Sequence, residues 1–164
     1  MMGFKRFCNR LRWWLSKPFV VIRNFFFLKR YPFWAFVYPD SKGKRRTAYD
    51  STWYDDIPEG WKKAFGKEMS ERIRKALIDE YGKRFPKRAV EICEVKEKYG
   101  ELRIYASAPD RVLDILDEYE TRSFHHCIYC GEKSTKYTLG WILPVCEKHA
   151  KGKDCKDIEE NIDA

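Results

Sequence analysis

The sequence predicts an α+β fold: antiparallel hairpins packed with two helices and closed at the C-terminal end by a small cysteine-rich unit. Three observations support this prediction. Two segments have the alternation and turn residues of β-hairpins, two apolar stripes recur at helical spacing, and four Cys and His residues form two short pairs near the end of the chain. With 164 residues, 44% of them hydrophobic, the chain is large and apolar enough to bury a core.

The first hairpin is predicted over residues 33–54, where FWAFVYP and RRTAYDSTWY flank the polar, glycine-containing loop DSKGK. Residues 56–59, Asp-Ile-Pro-Glu, resemble a capping box with Asp56 as the cap and an early helical proline. A helix should begin there. Its apolar residues recur every three or four positions and are predicted to be core: Trp61, Phe65, Met69, Ile73, Leu77 and Tyr81.

The second hairpin is predicted from RAVEICEVKEK and ELRIYAS, joined by a turn at Tyr99-Gly100. This register places Lys98 opposite Glu101, Lys96 opposite Arg103, Val95 opposite Ile104 and Cys93 opposite Ala106. The face predicted to be buried carries Cys93, Val95, Leu102, Ile104 and Ala106. Cys93 is thus expected to be a buried, unreactive side chain. Residues 107–110, Ser-Ala-Pro-Asp, should start the second helix, with its stripe at Val112, Ile115, Leu116 and Tyr119.

The cysteine-rich unit has the pattern Cys127-x2-Cys130-x15-Cys146-x2-His149. Two residues between ligands let both turn onto one ion, and a second pair completes the tetrahedron that Zn²⁺ prefers. A redox Cys-x-x-Cys is the alternative, but it gives no reason for the second pair. Three Cys and one His fill the coordination shell, so the site is predicted to be a structural zinc knuckle. His125, His126 and Cys155 are alternatives to His149 as the fourth ligand.

The N-terminal segment is basic and aromatic. Residues 1–50 carry 12 Lys and Arg against two acidic residues, whereas the remainder of the chain has 21 basic and 23 acidic residues. Within residues 4–15, apolar side chains at helical spacing alternate with cations, which predicts a basic amphipathic helix with Arg10, Arg12 and Trp14 as candidate binding residues. Charges interrupt the apolar run that follows, so neither a membrane-spanning helix nor a signal peptide is expected.

Composition and motifs suggest four regions. Residues 1–30 form the basic aromatic segment, 31–124 the α+β core, 125–153 the zinc-binding unit and 154–164 an acidic tail.

Three stretches, YDDIPEGWKKAFG, VKEKYGELRIY and CIYCG followed by GWILPVC, resemble a family of small proteins encoded by phages and prophages. The likeness covers roughly residues 31–150. Glu101 stands where a second Gly is expected in the turn of that family, and His149 where its members use Cys or His. The resemblance implies an accessory protein in the cytoplasm of a host cell, and it carries over no activity.

A non-enzymatic role follows as the expectation, with a protein as partner and the charged and aromatic strand positions Lys96, Arg103 and Tyr105 as a candidate binding face. Nucleic-acid binding is the alternative, through the N-terminal helix and five lysines near the zinc unit: Lys133, Lys136, Lys148, Lys151 and Lys153. Peripheral attachment to an anionic membrane is a third. A nuclease would need a general base and further ligands, for which only His125 and His126 remain. The sequence assigns no oligomeric state.

Overall fold

The structure, a computed structural model, describes residues 17–158. It confirms the predicted α+β class with antiparallel sheets. Two compact units divide between Asp55 and Asp56. The sequence did not suggest this boundary, and the four regions proposed from composition stay predictions. The amphipathic helix predicted over residues 4–15 lies outside the described residues.

Within the described part of the N-terminal unit, residues 17–55, the α-helix α1 spans residues 17–30, to which the sequence assigned no structure. A 3₁₀ turn, Pro32–Trp34, leads into the predicted hairpin of β1 (Ala35–Pro39) and β2 (Arg45–Thr52), and a second 3₁₀ turn, Trp53–Asp56, follows. The Asp40 side chain organises the hairpin loop, since its Oδ1 accepts hydrogen bonds from the Lys42 and Lys44 amides, each at 2.9 Å.

Aromatic rings build the core of this unit. Trp34 is fully buried, and the Tyr54 ring lies 5.5 Å from Trp34 and 5.0 Å from Phe27. A buried polar side chain ties the helix to the hairpin, since Asn24 of α1 donates to the Tyr49 carbonyl of β2 at 3.0 Å.

The second unit starts with a continuous helical segment and ends in a three-stranded sheet of order β6-β5-β7. Its elements in chain order are α2 (Glu59–Trp61), a π-helical turn (Lys62–Gly66), α3 (Lys67–Tyr81), β3 (Glu91–Lys98), β4 (Glu101–Ser107), α4 (Asp110–Ser123), β5 (Lys136–Thr138), β6 (Pro144–Val145), α5 (Glu147–Ala150) and β7 (Cys155–Asp157).

Both predicted apolar stripes are core, with one exception. The side chains of the first stripe from Trp61 to Leu77 are at most 2% exposed, and all four of the second stripe are buried. Tyr81 was predicted to be core and is 45% exposed, because α3 ends there and Gly82, at φ +82°, turns the chain away.

The predicted capping box at residues 56–59 is wrong. Pro58 is the N-cap of α2, and no side chain caps the helix. The amide that a capping residue would satisfy has another partner, since the Gly60 N–H donates to the Ile128 carbonyl of the cysteine-rich unit at 3.0 Å. A contact distant in sequence thus replaces the local one.

The second hairpin has the predicted turn and most of the predicted register. Lys98 pairs with Glu101 and Val95 with Ile104, but Ala106 pairs with Ile92 instead of Cys93. An irregularity between Ile92 and Glu94 accounts for the difference, since an extra residue in one strand shifts the pairing beyond it. Cys93 is therefore exposed, and its predicted burial is wrong.

Side chains of α4 complete the hydrogen bonding of β4. Ser123 Oγ accepts from the Leu102 amide at 2.7 Å, and a Glu120 carboxylate oxygen accepts from the Ile104 amide at 2.9 Å. Because α4 leads directly into the cysteine-rich unit, these bonds fix where that unit begins.

Candidate metal centre

Cys127, Cys130, Cys146 and His149 lie close enough together to hold a metal ion. Their ligand atoms are all within 4.8 Å of one another. His149 Nδ1 is 3.3 Å from Cys146 Sγ and 3.5 Å from Cys127 Sγ, and the sulfurs of Cys130 and Cys146 are 3.7 Å apart. Three thiol sulfurs and one imidazole nitrogen that converge in this way are a ligand set suited to tetrahedral metal coordination.

A tight turn positions the first pair. The Gly131 amide donates to the Cys127 carbonyl at 2.8 Å, and the Cys127 amide donates to the Glu132 carbonyl at 2.7 Å. Gly131 has φ +84°, a left-handed conformation that glycine adopts without strain. The chain therefore reverses just after Cys130, and both thiols face the same point.

A short helix positions the second pair. Cys146 is the N-cap of α5, and the His149 amide donates to its carbonyl at 2.9 Å, so the two side chains lie on the same helical turn. The His149 ring packs against Tyr129, with centroids 5.3 Å apart. This contact orients the imidazole toward the sulfurs.

The alternative ligands lie outside this group. His126 Nδ1 is 3.0 Å from the Arg122 carbonyl oxygen, and its ring packs on Phe65 at 5.6 Å. Cys155 Sγ is 3.9 Å from the Ala150 carbonyl oxygen. Among residues 17–158, the group that could hold a metal comprises the four residues selected by spacing.

The thiols are free, with no disulfide between them. Burial raises the pKa of Cys130 to about 11, and the sulfurs of Cys127 and Cys146 act in the same direction. Burial also acts to raise the pKa of Cys127, but backbone N–H groups, including that of Cys146, outweigh it, and the pKa of Cys127 is lowered. Three thiolates this close would repel one another, and a cation among them removes the repulsion.

Two glycines allow the turn at residues 127–131, here called the cysteine turn, to contact the backbone of α2. A Cβ on Gly60 would lie 2.2 Å from the Cys127 carbonyl oxygen, and one on Gly131 would lie 2.4 Å from the Gly60 oxygen. The Trp61 indole N–H donates to the His126 carbonyl at 2.9 Å. Trp61 was predicted only to be core, and no role was predicted for Gly60, because nothing local in the sequence marks a contact across more than 60 residues.

Residues 139–142 form a largely exposed loop between β5 and β6, and β6 then leads into Cys146. Trp141 is 71% exposed, yet its indole N–H donates to a Glu97 carboxylate oxygen at 2.8 Å. The other Glu97 oxygen accepts from the Gly100 amide at 2.7 Å, so one carboxylate holds both the loop and the hairpin turn. Tyr99 in that turn is 72% exposed. No role was predicted from the sequence for Trp141, which lies in the stretch GWILPVC that contributes to the family resemblance.

The predicted strand-face residues pair with acidic neighbours. Lys96 forms a 2.7 Å ion pair with Glu94, and its ammonium lies 5.1 Å from the Tyr105 ring centroid. Arg103 pairs with Glu101 and, at 2.8 Å, with Glu120. The three residues do share one region of the hairpin, but its cations are partly neutralised.

Lys136 and Lys153, near the cluster, lie against acidic and aromatic neighbours. Lys136 pairs with Asp157 and lies 3.6 Å from Glu147, and the Lys153 ammonium lies 4.3 Å from the Tyr129 ring centroid. Arg10, Arg12 and Trp14 lie outside the described residues.

No protein-family model, curated protein or solved structure matches this chain. The class of protein is therefore defined by its own fold and site, an α+β protein with a Cys₃His cluster able to hold a metal ion.

Proposed function

We propose that the cluster binds Zn²⁺ and that the ion is structural. The buried Cys₃His set is the observation that supports this, since Cys127 is fully buried and Cys146 is 6% exposed. Zn²⁺ is the common ion for tetrahedral sulfur and imidazole donors, and four protein ligands leave no position for a substrate or a water nucleophile. The ion supplies folding free energy to a segment whose strands have only two or three residues.

We further propose that the cysteine-rich unit, together with the adjoining turn of the second hairpin, presents a rigid surface to a protein partner. This surface, the Trp141 surface, consists of Trp141, Leu139 and Tyr99, which are 71%, 47% and 72% exposed. Exposed aromatic residues held in one orientation are the usual anchors of protein interfaces. The bond from Trp141 to Glu97 satisfies the indole N–H, so binding a partner would not leave that donor unpaired.

Hydrogen bonds of Thr138 hold the loop that carries Trp141, and this loop leads through β6 to the ligand Cys146. Thr138, 7% exposed, donates through Oγ1 to the Trp141 carbonyl at 2.5 Å and accepts from the Leu143 amide at 3.0 Å. The Thr138 amide donates to the Leu143 carbonyl at 3.0 Å, three residues before Cys146. In this proposal the ion holds β6 in place, and β6 in turn orders the loop at residues 139–142. Because Trp141 is already ordered before binding, it would lose less conformational entropy when a partner binds.

The resemblance to phage and prophage proteins supports a non-enzymatic accessory role in which the partner is a host or phage protein. A structural metal fits a binding role better than a catalytic one, because the closed ligand shell activates no nucleophile. Nucleic-acid binding through the N-terminal cations and the lysines near the cluster is the competing proposal.

Affinity capture from a bacterial host lysate tests the protein-binding proposal. Wild-type protein should retain a partner that Trp141→Ser loses, since a central aromatic anchor typically contributes at least about 2 kcal/mol. Tyr81→Ser is the matched control, because Tyr81 is also an exposed aromatic residue but lies outside the Trp141 surface. Equal capture by both variants would reject the surface, and capture that nuclease treatment abolishes would favour nucleic acid.

A further inference from the structure

The helix α1, at residues 17–30, is apolar on two sides. Its inward side is covered, with Leu28 6% exposed. On its outward side Phe19, Ile22 and Phe26 are 76%, 56% and 63% exposed. A surface helix in a globular protein normally has one apolar stripe facing the core and polar residues opposite. The outward apolar side of α1 departs from that pattern.

The exposed apolar residues form one continuous face. Positions 19, 22 and 26 are three and four residues apart, so their side chains align along the same side of the helix. Phe25 borders them, 40% exposed, with its ring 5.6 Å from that of Phe26. The Lys29 ammonium lies 4.4 Å from the Phe25 ring centroid and 5.7 Å from that of Phe26. A cation therefore sits within the apolar face.

The surrounding charge indicates what this face would meet. Residues 1–50 carry 12 Lys and Arg against two acidic residues, so the part of the chain that contains α1 attracts anionic surfaces. Phenyl rings and an isoleucine gain most from transfer to a hydrocarbon environment. An anionic lipid bilayer offers both an acidic surface and an apolar layer beneath it.

We propose that the α1 face, formed by Phe19, Ile22, Phe25, Phe26 and Lys29, docks on the surface of an anionic lipid bilayer. The helix lies in the plane of the interface, with its apolar side chains below the head groups and its cations beside the phosphates. The proposed attachment is peripheral. Among residues 17–158, no helix is long and apolar enough to cross a membrane. The α1 face and the Trp141 surface share no residue.

Lipid fits the α1 face better than nucleic acid does. Phosphate contacts require cations and hydrogen-bond donors along the surface, and base stacking requires flat rings open to the base. Of the five residues of the face, Lys29 is the only donor, and Ile22 offers no ring. A bilayer accepts apolar side chains of any shape.

Co-sedimentation of the full chain with lipid vesicles tests the proposal. Vesicles of phosphatidylcholine and phosphatidylserine should bind the protein, and added salt or omission of phosphatidylserine should weaken binding. Phe19→Gln combined with Phe26→Gln should reduce the partition coefficient at least about tenfold, because two phenyl groups no longer enter the bilayer. Tyr81→Gln is the matched control, since Tyr81 is 45% exposed and outside both α1 and the Trp141 surface, and it should bind like wild type.

Circular dichroism and thermal melting establish that each variant is folded. Lys29→Glu provides a second test that leaves the apolar core untouched, and it should weaken binding to anionic vesicles while the melting temperature stays close to that of wild type. Unchanged vesicle binding in both the double variant and Lys29→Glu would overturn the proposal. A wild-type protein that does not bind vesicles would overturn the proposal as well. The α1 face would then bind nucleic acid if wild type shifts an oligonucleotide in a gel and the double variant does not. It would bind a second copy of the chain if wild type is a dimer and the double variant is not.

Discussion

Replacing Gly60 with alanine tests the docking of the cysteine turn on α2. A Cβ at this position would lie 2.2 Å from the Cys127 oxygen and 2.5 Å from the Ile128 oxygen, distances well below the 3.0 Å that real Cβ contacts essentially never breach. Both oxygens belong to the backbone, so no side-chain rotation relieves the overlap. The turn and the helix must move apart.

The structure gives the size of the effect. Separation breaks the bond from the Gly60 amide to Ile128, 3.0 Å, and the bond from the Trp61 indole to His126, 2.9 Å. Each such bond contributes about 1 kcal/mol, and overpacking costs about 1–3 kcal/mol. Alanine is intrinsically better than glycine in a helix by about 1 kcal/mol. The net expectation for Gly60→Ala is a destabilisation of about 2–4 kcal/mol.

Urea denaturation of the zinc-loaded full chain measures this change. Gly82→Ala is the matched control, because a Cβ there meets nothing within 4 Å and its cost comes only from φ +82°. Gly82 combines φ +82° with ψ 178°, a region that essentially only glycine adopts, so the cost there is about 1–3 kcal/mol. The sign of the Gly60→Ala effect is decisive, since a helix without the contact would be stabilised by the substitution. A Gly60→Ala protein as stable as wild type would refute the docking.

Three further outcomes are expected. In zinc-loaded protein, Cys93 should react with a thiol reagent faster than the cluster cysteines, and mass spectrometry of the labelled peptides checks this. Ser123→Ala removes the acceptor of the buried Leu102 amide and should cost about 1–3 kcal/mol in urea denaturation, whereas a loss below about 0.5 kcal/mol would contradict the role given to that bond. Hydrogen bonds from Arg122 and then Tyr119 lower the pKa of Glu68, so its stabilising contribution should be complete above the unfolded-state pKa and lost as pH falls through the lower folded-state pKa. An NMR titration should show a depressed Glu68 pKa that rises in Arg122→Gln.

Local patterns were sufficient for much of the fold. The two apolar stripes predicted buried helices, and the Tyr99-Gly100 turn predicted the register of the nearby hairpin pairs. Spacing alone selected the four residues that converge in the metal centre. In each case the information lies within a few residues, as in the period of a helix, the length of a turn or the gap between two ligands.

Contacts between residues distant in sequence determined the features of the fold and of the site that local patterns did not predict. The Gly60 amide bonds to Ile128, so no local cap is needed and the capping box at Asp56 does not form. The irregularity beside Cys93 leaves no mark in a strand pattern that otherwise alternates cleanly. Trp141 was overlooked because an exposed tryptophan held by Glu97 looks, in sequence, like any apolar residue in a loop.

X-ray absorption spectroscopy at the zinc edge of the purified full chain tests the central claim most directly. We expect one zinc ion per chain, with three sulfurs at about 2.3 Å and one nitrogen at about 2.0–2.1 Å. A protein without stoichiometric zinc, or a zinc shell containing a water or carboxylate oxygen, would contradict a closed Cys₃His structural site.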